Sequence, residues 1–128
     1  MVWLYRLLRG FPLSGTMLLL TTRGRRSGRE RTIAIHYQRH DGRLVLCASN
    51  AGRPRHPAWL HNLRADPAVT VQVGGTVFTG PAEEVTVADR EALWAAWVAR
   101  EPGYARMARR VGKTFPLVRL PSEPGATG

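Results

Sequence analysis

The sequence has little cysteine and no long apolar run. Cys47 is the only cysteine among 128 residues, which excludes an intrachain disulfide and gives no sign of an oxidising compartment. No apolar run, Met17 to Leu20 included, approaches the ~20 residues that span a bilayer, and arginines interrupt the apolar residues at 1–10, which is unlike a signal peptide. The length and the 44 % hydrophobic content predict a single domain over residues 1–128. The lone cysteine and the lack of an apolar span or signal peptide predict a cytoplasmic protein.

Lysine and acidic residues are also scarce. Lys113 is the only lysine beside 18 arginines, and nine residues are acidic. The first 64 residues contain 12 arginines against Glu30 and Asp41, so the whole net charge of +10 lies in that half. A one-sided basic field concentrates anions, whether phosphate ligands, nucleic acid or acidic lipid. We predict no nucleic-acid partner, because no aromatic residue is interleaved with the arginines at 23–31.

Motifs for metal binding and hydrolysis are missing from the sequence. His56 and His61 are five residues apart, which on one helix would point their side chains roughly 140° from each other. No carboxylate pair or Cys/His cluster is spaced to complete a ligand set, and no serine stands in a GxSxG context. We therefore predict neither a metal site nor a serine hydrolase.

The apolar periodicity predicts hairpins of strands followed by helices. Strands are predicted at 17–22, 32–39, 44–49, 69–73, 77–87 and 115–120, with hairpin turns at 40–42 and 74–75. The strand 77–87 is predicted to be interrupted at Gly80 and Pro81. Helices are predicted from Pro57 to a stop at Pro67, after a capping box formed by Thr86 and Asp89, and over 103–111. Antiparallel hairpins followed by helices predict a small α+β barrel.

The two ends of the chain are predicted to lie outside this barrel. Residues 1–12 have apolar and arginine residues at helical spacing, which fits either a helix that caps the core or a peripheral contact with a membrane surface. Residues 121–128 are predicted to be a flexible tail. The sequence leaves open whether the protein is a monomer or a homodimer.

The segment from Thr21 to Arg31 is rich in hydrogen-bond donors. It contains five arginines, three hydroxyl side chains and two glycines within 11 residues. Arginine forks, hydroxyls and a flexible backbone together suit the binding of a phosphate. The same residues also suit a solvated basic turn, and both interpretations stay open here. We call residues 23–31 the arginine loop.

A second group of residues lies where a strand end, a glycine loop and a helix start follow one another. Residues 47–52 read CASNAG and residues 57–63 read PAWLHNL. Strand ends and helix N-termini often hold planar, anionic cofactors. Trp59 and Leu63 fit the core, whereas Asn62 needs hydrogen-bond partners if it is buried.

Three ordered motifs make the chain resemble the deazaflavin-dependent nitroreductases. TTRGRRSGRER, ASNAG and PAWLHNLRADP are similar to that family's TTxGRxSGxxR loop, AS-x-AG loop and PxWxxNLxxNP helix, and the similarity covers residues 18–120. The resemblance implies an antiparallel split β-barrel, similar to that of the pyridoxamine-phosphate-oxidase-like, FMN-binding flavoproteins. It also implies the 8-hydroxy-5-deazaflavin coenzyme F420 as the cofactor, with FMN as the alternative.

The resemblance also implies a role for individual residues. The cofactor's phosphate and acidic tail would be held by Arg25, Arg26, Ser27 and Arg31; its ring would be flanked by Cys47, Ala48, Ser49 and Asn50 on one side and by Ala58, Trp59, Leu60, His61 and Asn62 on the other. Tyr104 and Ser49 are the candidates for the catalytic donor to the acceptor's oxygen.

The activity implied by the resemblance is reduction of an electron-poor acceptor. Reduced F420 would give a hydride to a quinone, an enone or a nitro compound, and the alternative is a flavin-binding or non-catalytic cofactor-binding barrel. The chain departs from the family at Arg26 and Asn50, where members often have lysine. Glu101 and Met107 stand where some nitro-reducing members carry tyrosines.

Overall fold

The part of the chain described by the computed structural model, residues 16–125, forms two antiparallel sheets and three helices. The strands are β1 (Met17–Arg23), β2 (Glu30–His36), β3 (Gln38–His40), β4 (Arg43–Cys47), β5 (Ala68–Val73), β6 (Thr76–Pro81), β7 (Glu83–Glu84) and β8 (Leu117–Arg119). The helices are α1 (Ala58–Ala65), α2 (Val87–Arg100) and α3 (Gly103–Val111), and Asn50–Gly52 forms a 3-10 turn. The predictions for residues 1–12 lie outside the described residues.

The strand orders confirm an α+β fold built from antiparallel pairs. The first sheet has the order β2-β1-β5-β6 and the second has the order β3-β4-β8-β7. In the first sheet Leu20 of β1 lies opposite Ile33 of β2 and Val71 of β5. Within residues 16–125 the two ladders stay separate and do not close into a barrel, and no helix there is long and apolar enough to cross a bilayer.

Two predicted long strands are wrong, because each one turns from the first sheet into the second. The predicted strand 32–39 breaks at Tyr37, after which Gln38 pairs with Val45 in the second sheet. The predicted strand 77–87 stays paired through Gly80 and Pro81, where the sequence predicts an interruption, and instead breaks at Ala82 and is extended only as far as Glu84. Tyr37 and Ala82 are both buried, and their amides donate to backbone carbonyls at 2.9 and 2.8 Å. The backbone therefore stays hydrogen-bonded through both bends.

Strand β4 is buried on both of its faces. Leu44 and Leu46 belong to a core cluster shared with β1, β5 and α1, whereas Val45 and Cys47 pack with Trp97 of α2. Successive side chains of a strand point to opposite faces of the sheet, so the second sheet has the first sheet on one side and α2 on the other. This explains why β4 is apolar without alternation.

The helices lie where they were predicted, but the capping box is wrong. Helix α1 follows Pro57, and α3 covers the predicted residues 103–111. Thr86 is the N-cap of α2 but makes no side-chain cap hydrogen bond. The Asp89 carboxylate instead lies 3.6 Å from the guanidinium of Arg119 on β8, so it is used in an ion pair with the second sheet.

The predicted hairpin turns are confirmed, and strands β4 and β8 are shorter than predicted. Asp41 and Gly42 have φ angles of 53° and 77°, the pair of positive values that a two-residue hairpin turn requires. Strand β4 ends at Cys47 and β8 spans three residues. Beyond β8, Pro121 is buried and Glu123 pairs with Arg39, while flexibility of the tail stays a prediction.

Candidate active site

An open cleft of about 800 Å³ lies between the arginine loop, β2, the end of β4 and the start of α1. Its lining includes most of the residues that the motifs singled out: Arg25, Arg26, Ser27, Arg31, Cys47, Ser49, Asn50, Ala58, Trp59, Asn62 and Tyr104. Segments that are far apart in sequence therefore meet around one space. Three other predicted residues do not line the cleft: Ala48, Leu60 and His61.

The arginine loop is a closed turn held by its own backbone. The amide of Gly24 donates to the carbonyl of Arg29 at 2.7 Å, and the amide of Gly28 donates back to the carbonyl of Gly24 at 2.8 Å. A Cβ atom on Gly24 would lie 2.8 Å from Ser27 Oγ, and Gly28 has a φ of 72°, so both positions favour glycine. The loop thus has a defined shape.

Asn62 ties the arginine loop to helix α1. Its Oδ1 atom accepts a hydrogen bond from the amide of Arg25 at 3.1 Å, and its Nδ2 atom donates to Thr22 Oγ1 at 3.1 Å. Asn62 is 5 % exposed, so these are the partners that the sequence required of a buried amide. The side chain positions the loop as well as lining the cleft.

The arginines that face the cleft have no acidic partner within residues 16–125. Arg25, Arg26 and Arg31 are exposed and take part in none of the ion pairs there. By contrast, Arg23 at the edge of the loop lies 3.8 Å from Asp66. Three guanidinium groups are thus left to bind an anion from solution.

The loop after β4 has an unusual backbone. Asn50, Ala51 and Gly52 have consecutive φ angles of 50°, 55° and 80°, and for the two residues with a Cβ this left-handed conformation costs roughly 1–2 kcal/mol each. The Asn50 side chain donates to the carbonyl of Arg55 at 2.9 Å, which closes the loop. Such strain is often retained where a loop must present its backbone to a ligand.

The two weak acids on the cleft wall stay protonated at neutral pH. Burial raises the pKa of the Cys47 thiol to about 12, so Cys47 lines the cleft as a small apolar group. Burial also raises the pKa of the Tyr104 hydroxyl to about 12, with Cys47 and Glu101 adding to the effect. Tyr104 packs edge-on against Trp97, with ring centroids 5.4 Å apart, so it presents a fixed O–H donor.

The motifs did not reveal one wall of the cleft, which comes from β1 and β2. Apart from Thr22, which belongs to the first motif, this wall contains Met17, Ile33, Ala34, Ile35 and His36. The sequence predicts a buried apolar strand here, but β2 is an edge strand and Ile33 is 37 % exposed. The apolar residues directly after the arginine loop were the sequence signal that could have revealed this wall. An edge strand next to an anion site can present a flat apolar face to a ring.

Sequence reasoning also missed a hydrogen-bonded pair at the end of this wall. His36 Nε2 lies 2.5 Å from Oε1 of Glu101, and the side chain of Gln38 donates to the same oxygen at 2.6 Å. The imidazole also stacks on Tyr104, with centroids 6.4 Å apart and planes inclined by 20°. Glu101 was noted only as the replacement of a tyrosine, and its partner is 65 residues away in sequence.

The predicted residues outside the cleft have other surroundings. Ala48 and Leu60 are buried in the main core cluster. The ring of His61 lies 6.0 Å from that of His56, so the expectation that these side chains point apart is wrong. The physical reason is that α1 begins at Ala58, which leaves His56 in the preceding loop. Burial, aided by the positive charge of Arg64, lowers the pKa of His56.

Solved structures share this arrangement of sheets and helices. An F420-H2-dependent reductase, FDR-A, is 31 % identical with a TM-score of 0.73, and the match covers 83 % of this chain and 94 % of that chain. A second structure, a domain-swapped dimer, is 27 % identical with a TM-score of 0.73, covering 94 % of this chain and 98 % of that chain.

Relatives known by sequence agree with these structures. An F420H2-dependent quinone reductase of Mycobacterium tuberculosis is 31 % identical over 112 residues, which cover 85 % of this chain and 75 % of the relative. A putative F420H2-dependent quinone reductase of Mycobacterium bovis matches to the same extent. The family model for F420H2-dependent quinone reductases matches residues 2–121. The chain therefore belongs to the F420H2-dependent quinone reductase family, which confirms the resemblance found in its motifs, its class as an oxidoreductase and coenzyme F420 as its cofactor.

Proposed function

We propose that the cleft is where this chain binds reduced coenzyme F420 and reduces a quinone. The observation that carries the proposal is the placement of three unpaired arginines at one end of a cleft whose other end has apolar walls and a protonated tyrosine. A charged group fits the first end and a planar, electron-poor ring fits the second. The names of the relatives support a quinone as the acceptor.

The residues of the cleft fit the charges and shape of this coenzyme. Arg25, Arg26 and Arg31, with the hydroxyl of Ser27, are proposed to hold its phosphate and acidic tail, because guanidinium groups bind such anions through charge-assisted hydrogen bonds. The ring is proposed to lie between the strand-end residues Cys47, Ser49 and Asn50 and the helix-start residues Ala58 and Trp59. When bound, the reduced deazaflavin supplies a hydride.

The chain's own residues are proposed to orient the quinone and to bind its developing negative charge. Tyr104 keeps its proton at neutral pH, so its hydroxyl can donate a hydrogen bond to a quinone oxygen that becomes negative. Ser49 is the second proposed donor on the cleft wall. A fixed donor aimed at developing charge stabilises the transition state more than the ground state.

The connection between the two sheets supports a split β-barrel as the finer description of the fold. The edge strands β2 and β6 of the first sheet run on into the edge strands β3 and β7 of the second through single bent residues.

The domain-swapped dimer that is 27 % identical to this chain supports a homodimer as the assembly state, which light scattering would test. Peripheral membrane contact through residues 1–12 stays a proposal to be tested by vesicle sedimentation.

The test of the proposed anion site is the double variant Arg26→Ala with Arg31→Ala. A hydrogen bond to a charged group contributes about 1.5–3 kcal/mol, so the dissociation constant for F420 should rise at least about tenfold, while the melting temperature stays near wild type because both side chains are exposed. Coenzyme fluorescence titration measures the affinity.

Arg106→Ala with Arg109→Ala is the matched control, since it removes two exposed arginines from α3 outside the cleft. This control should bind F420 as the wild type does. Equal losses of affinity in both double variants would show that overall charge, and not the arginine loop, attracts the coenzyme. Oxidation of F420H2 by menadione in the wild type tests the activity itself.

A further inference from the structure

His36 lies in the wall between the cleft and a second cavity. The second cavity has a volume of about 580 Å³ and lies among residues of β2, β3 and the end of α2, including Gln38, Arg100 and Glu101. His36 lines both spaces, whereas Glu101 lines the second cavity and not the cleft. The imidazole therefore has a carboxylate on the side away from the proposed substrate.

Two hydrogen bonds keep the Glu101 carboxyl ionised. Burial alone would raise its pKa, but the hydrogen bonds from His36 and Gln38 outweigh burial and hold the pKa of Glu101 below its usual value. Gln38 is itself fixed, because its amide also donates to the carbonyl of Trp97 at 3.3 Å and its Oε1 atom lies 2.6 Å from His40 Nε2. Glu101 is thus a charged acceptor with a fixed position.

An ionised carboxylate determines which nitrogen of His36 carries a proton. A carboxylate can only accept, so the hydrogen bond of 2.5 Å requires a proton on His36 Nε2. The other ring nitrogen, Nδ1, makes no hydrogen bond within residues 16–125. The side chain is 25 % exposed, so Nδ1 is left to exchange a proton with a molecule in the cleft.

We propose that His36 is the proton donor for quinone reduction and that Glu101 positions it. This inference deepens the proposed function and rests on it. An imidazole is the side chain whose usual titration spans neutral pH, and general acids work best when they titrate near the working pH. Tyr104 holds its proton far more tightly, so it donates a hydrogen bond while the imidazole gives up the proton.

The proposed step balances in atoms and electrons. Reduction of a quinone to a hydroquinone adds two electrons and two protons, and hydride transfer accounts for both electrons and one proton. It leaves one product oxygen as an anion. The Nδ1–H bond of the His36 imidazolium then breaks with its electron pair kept on nitrogen, and an O–H bond forms on that oxygen. The neutral ring keeps its Nε2–H bond to Glu101 and regains a proton from water after the product leaves.

The other charged and titratable groups around this pair each keep one charge state near neutral pH. Those groups are Arg39, Arg100, His40, Cys47 and Tyr104. The arginines stay charged, and the thiol and the phenol stay protonated. Burial, aided by Arg100, lowers the pKa of His40, so this second imidazole is neutral.

The test compares His36→Ala and His36→Asn with His56→Asn, a histidine variant outside both cavities. General acids contribute about 10²–10⁴-fold to rates, so kcat for menadione should fall by that factor in both His36 variants, and the fall of wild-type kcat with rising pH should be absent from them. Added imidazole should restore part of kcat in His36→Ala. The dissociation constant for F420 should stay within about twofold, and His56→Asn should behave as the wild type.

The outcomes separate the inference from the proposed function. A wild type that turns over menadione, together with His36 variants that keep wild-type kcat and pH dependence, would overturn the role of His36 alone. A wild type that binds F420 but does not oxidise F420H2 with any quinone would overturn the proposed function and this inference together. His36→Asn keeps a polar side chain at this position, so a second variant preserves the test if His36→Ala does not fold.

A readout without coenzyme tests the positioning role of Glu101. Nitrogen-15 NMR of the histidine rings should show the His36 proton on Nε2 in the wild type, with the signal assigned by its loss in His36→Asn. In Glu101→Ala this preference should disappear, and kcat should fall with KM nearly unchanged. Identical His36 ring shifts in wild type and Glu101→Ala would show that the carboxylate does not position the ring.

Discussion

At the scale of single residues, Asn62 couples the fold to the coenzyme site. Its amide bonds both the backbone of Arg25 and the hydroxyl of Thr22 from a buried position. Asn62→Ala should lower the free energy of unfolding by about 1–3 kcal/mol, because it leaves a buried hydroxyl and an amide N–H without their partner. It should also weaken F420 binding, because the arginine loop loses its attachment to α1. Urea unfolding and coenzyme titration measure the two effects.

Thr22→Val supplies the matched control for this prediction. It removes only the bond between Thr22 Oγ1 and Asn62 Nδ2 and leaves the contact with the backbone of Arg25. Stability losses of Asn62→Ala and Thr22→Val should not add in the double variant, since the two share one hydrogen bond. Strict additivity would mean that the bond contributes nothing to stability.

The residues that sequence could identify are those whose motif is local. Arg25, Arg26, Ser27 and Arg31 lie within seven positions, and their density of donors indicated an anion site before any tertiary contact was known. The bond between His36 and Glu101 joins the end of a strand to the end of a helix across 65 residues. No periodicity or spacing encodes that distance, because it depends on how α2 packs on the second sheet.

At the scale of elements, the pattern predicted where strands exist but not where they bend. Alternation and turn residues located β1, β5 and both hairpins. The bend at Tyr37 was not predicted, and the bend at Ala82 was predicted slightly early, at Gly80 and Pro81, because a residue between two sheets is buried like any core residue. Each strand bends because its continuation pairs within a second sheet, and that sheet forms only when β8, far along the chain, pairs with β4 and β7.

Helix α2 supplies a prediction at this scale. Leu93 is buried against the outer face of the second sheet, whereas Val87 in the same helix is 92 % exposed. Leu93→Ala should lower the free energy of unfolding by about 2–5 kcal/mol through lost burial and a residual cavity, and Val87→Ala should change it by less than about 0.5 kcal/mol. Thermal unfolding measures both, and similar losses would mean that α2 does not pack through this face.

At the scale of the whole molecule, the pairing of arginines with acidic residues decides which arginines are left to bind an anion. Many of the acidic residues pair with arginines outside the cleft, as Asp66 does with Arg23 and Glu84 does with Arg64. The arginines of the cleft are left without such partners among residues 16–125. The composition contains the excess of +10, and in this described part of the chain the fold leaves three of the arginines without acidic partners beside the proposed coenzyme.

The same pairing makes stability depend on pH. A hydrogen bond from Arg64 outweighs burial and lowers the pKa of Glu84 below its usual value of 4.5. The pair therefore stabilises the fold at neutral pH, and this stability is lost as pH falls below about 4.5 through the lowered value. Because the side chains are 40 % and 36 % exposed, the contribution is at most about 1 kcal/mol.

Glu84→Gln should therefore melt below the wild type at pH 7, by up to about 4 °C, and the difference should shrink toward pH 3 as the wild-type carboxyl takes up a proton through its lowered pKa. Glu91→Gln is the control, since Glu91 is exposed on α2 and forms none of the ion pairs within residues 16–125. It should follow the wild type at both pH values in calorimetry. A difference between Glu84→Gln and wild type that is equal at pH 7 and pH 3 would assign the effect to packing, because a lost ion pair must vanish once the carboxyl is neutral.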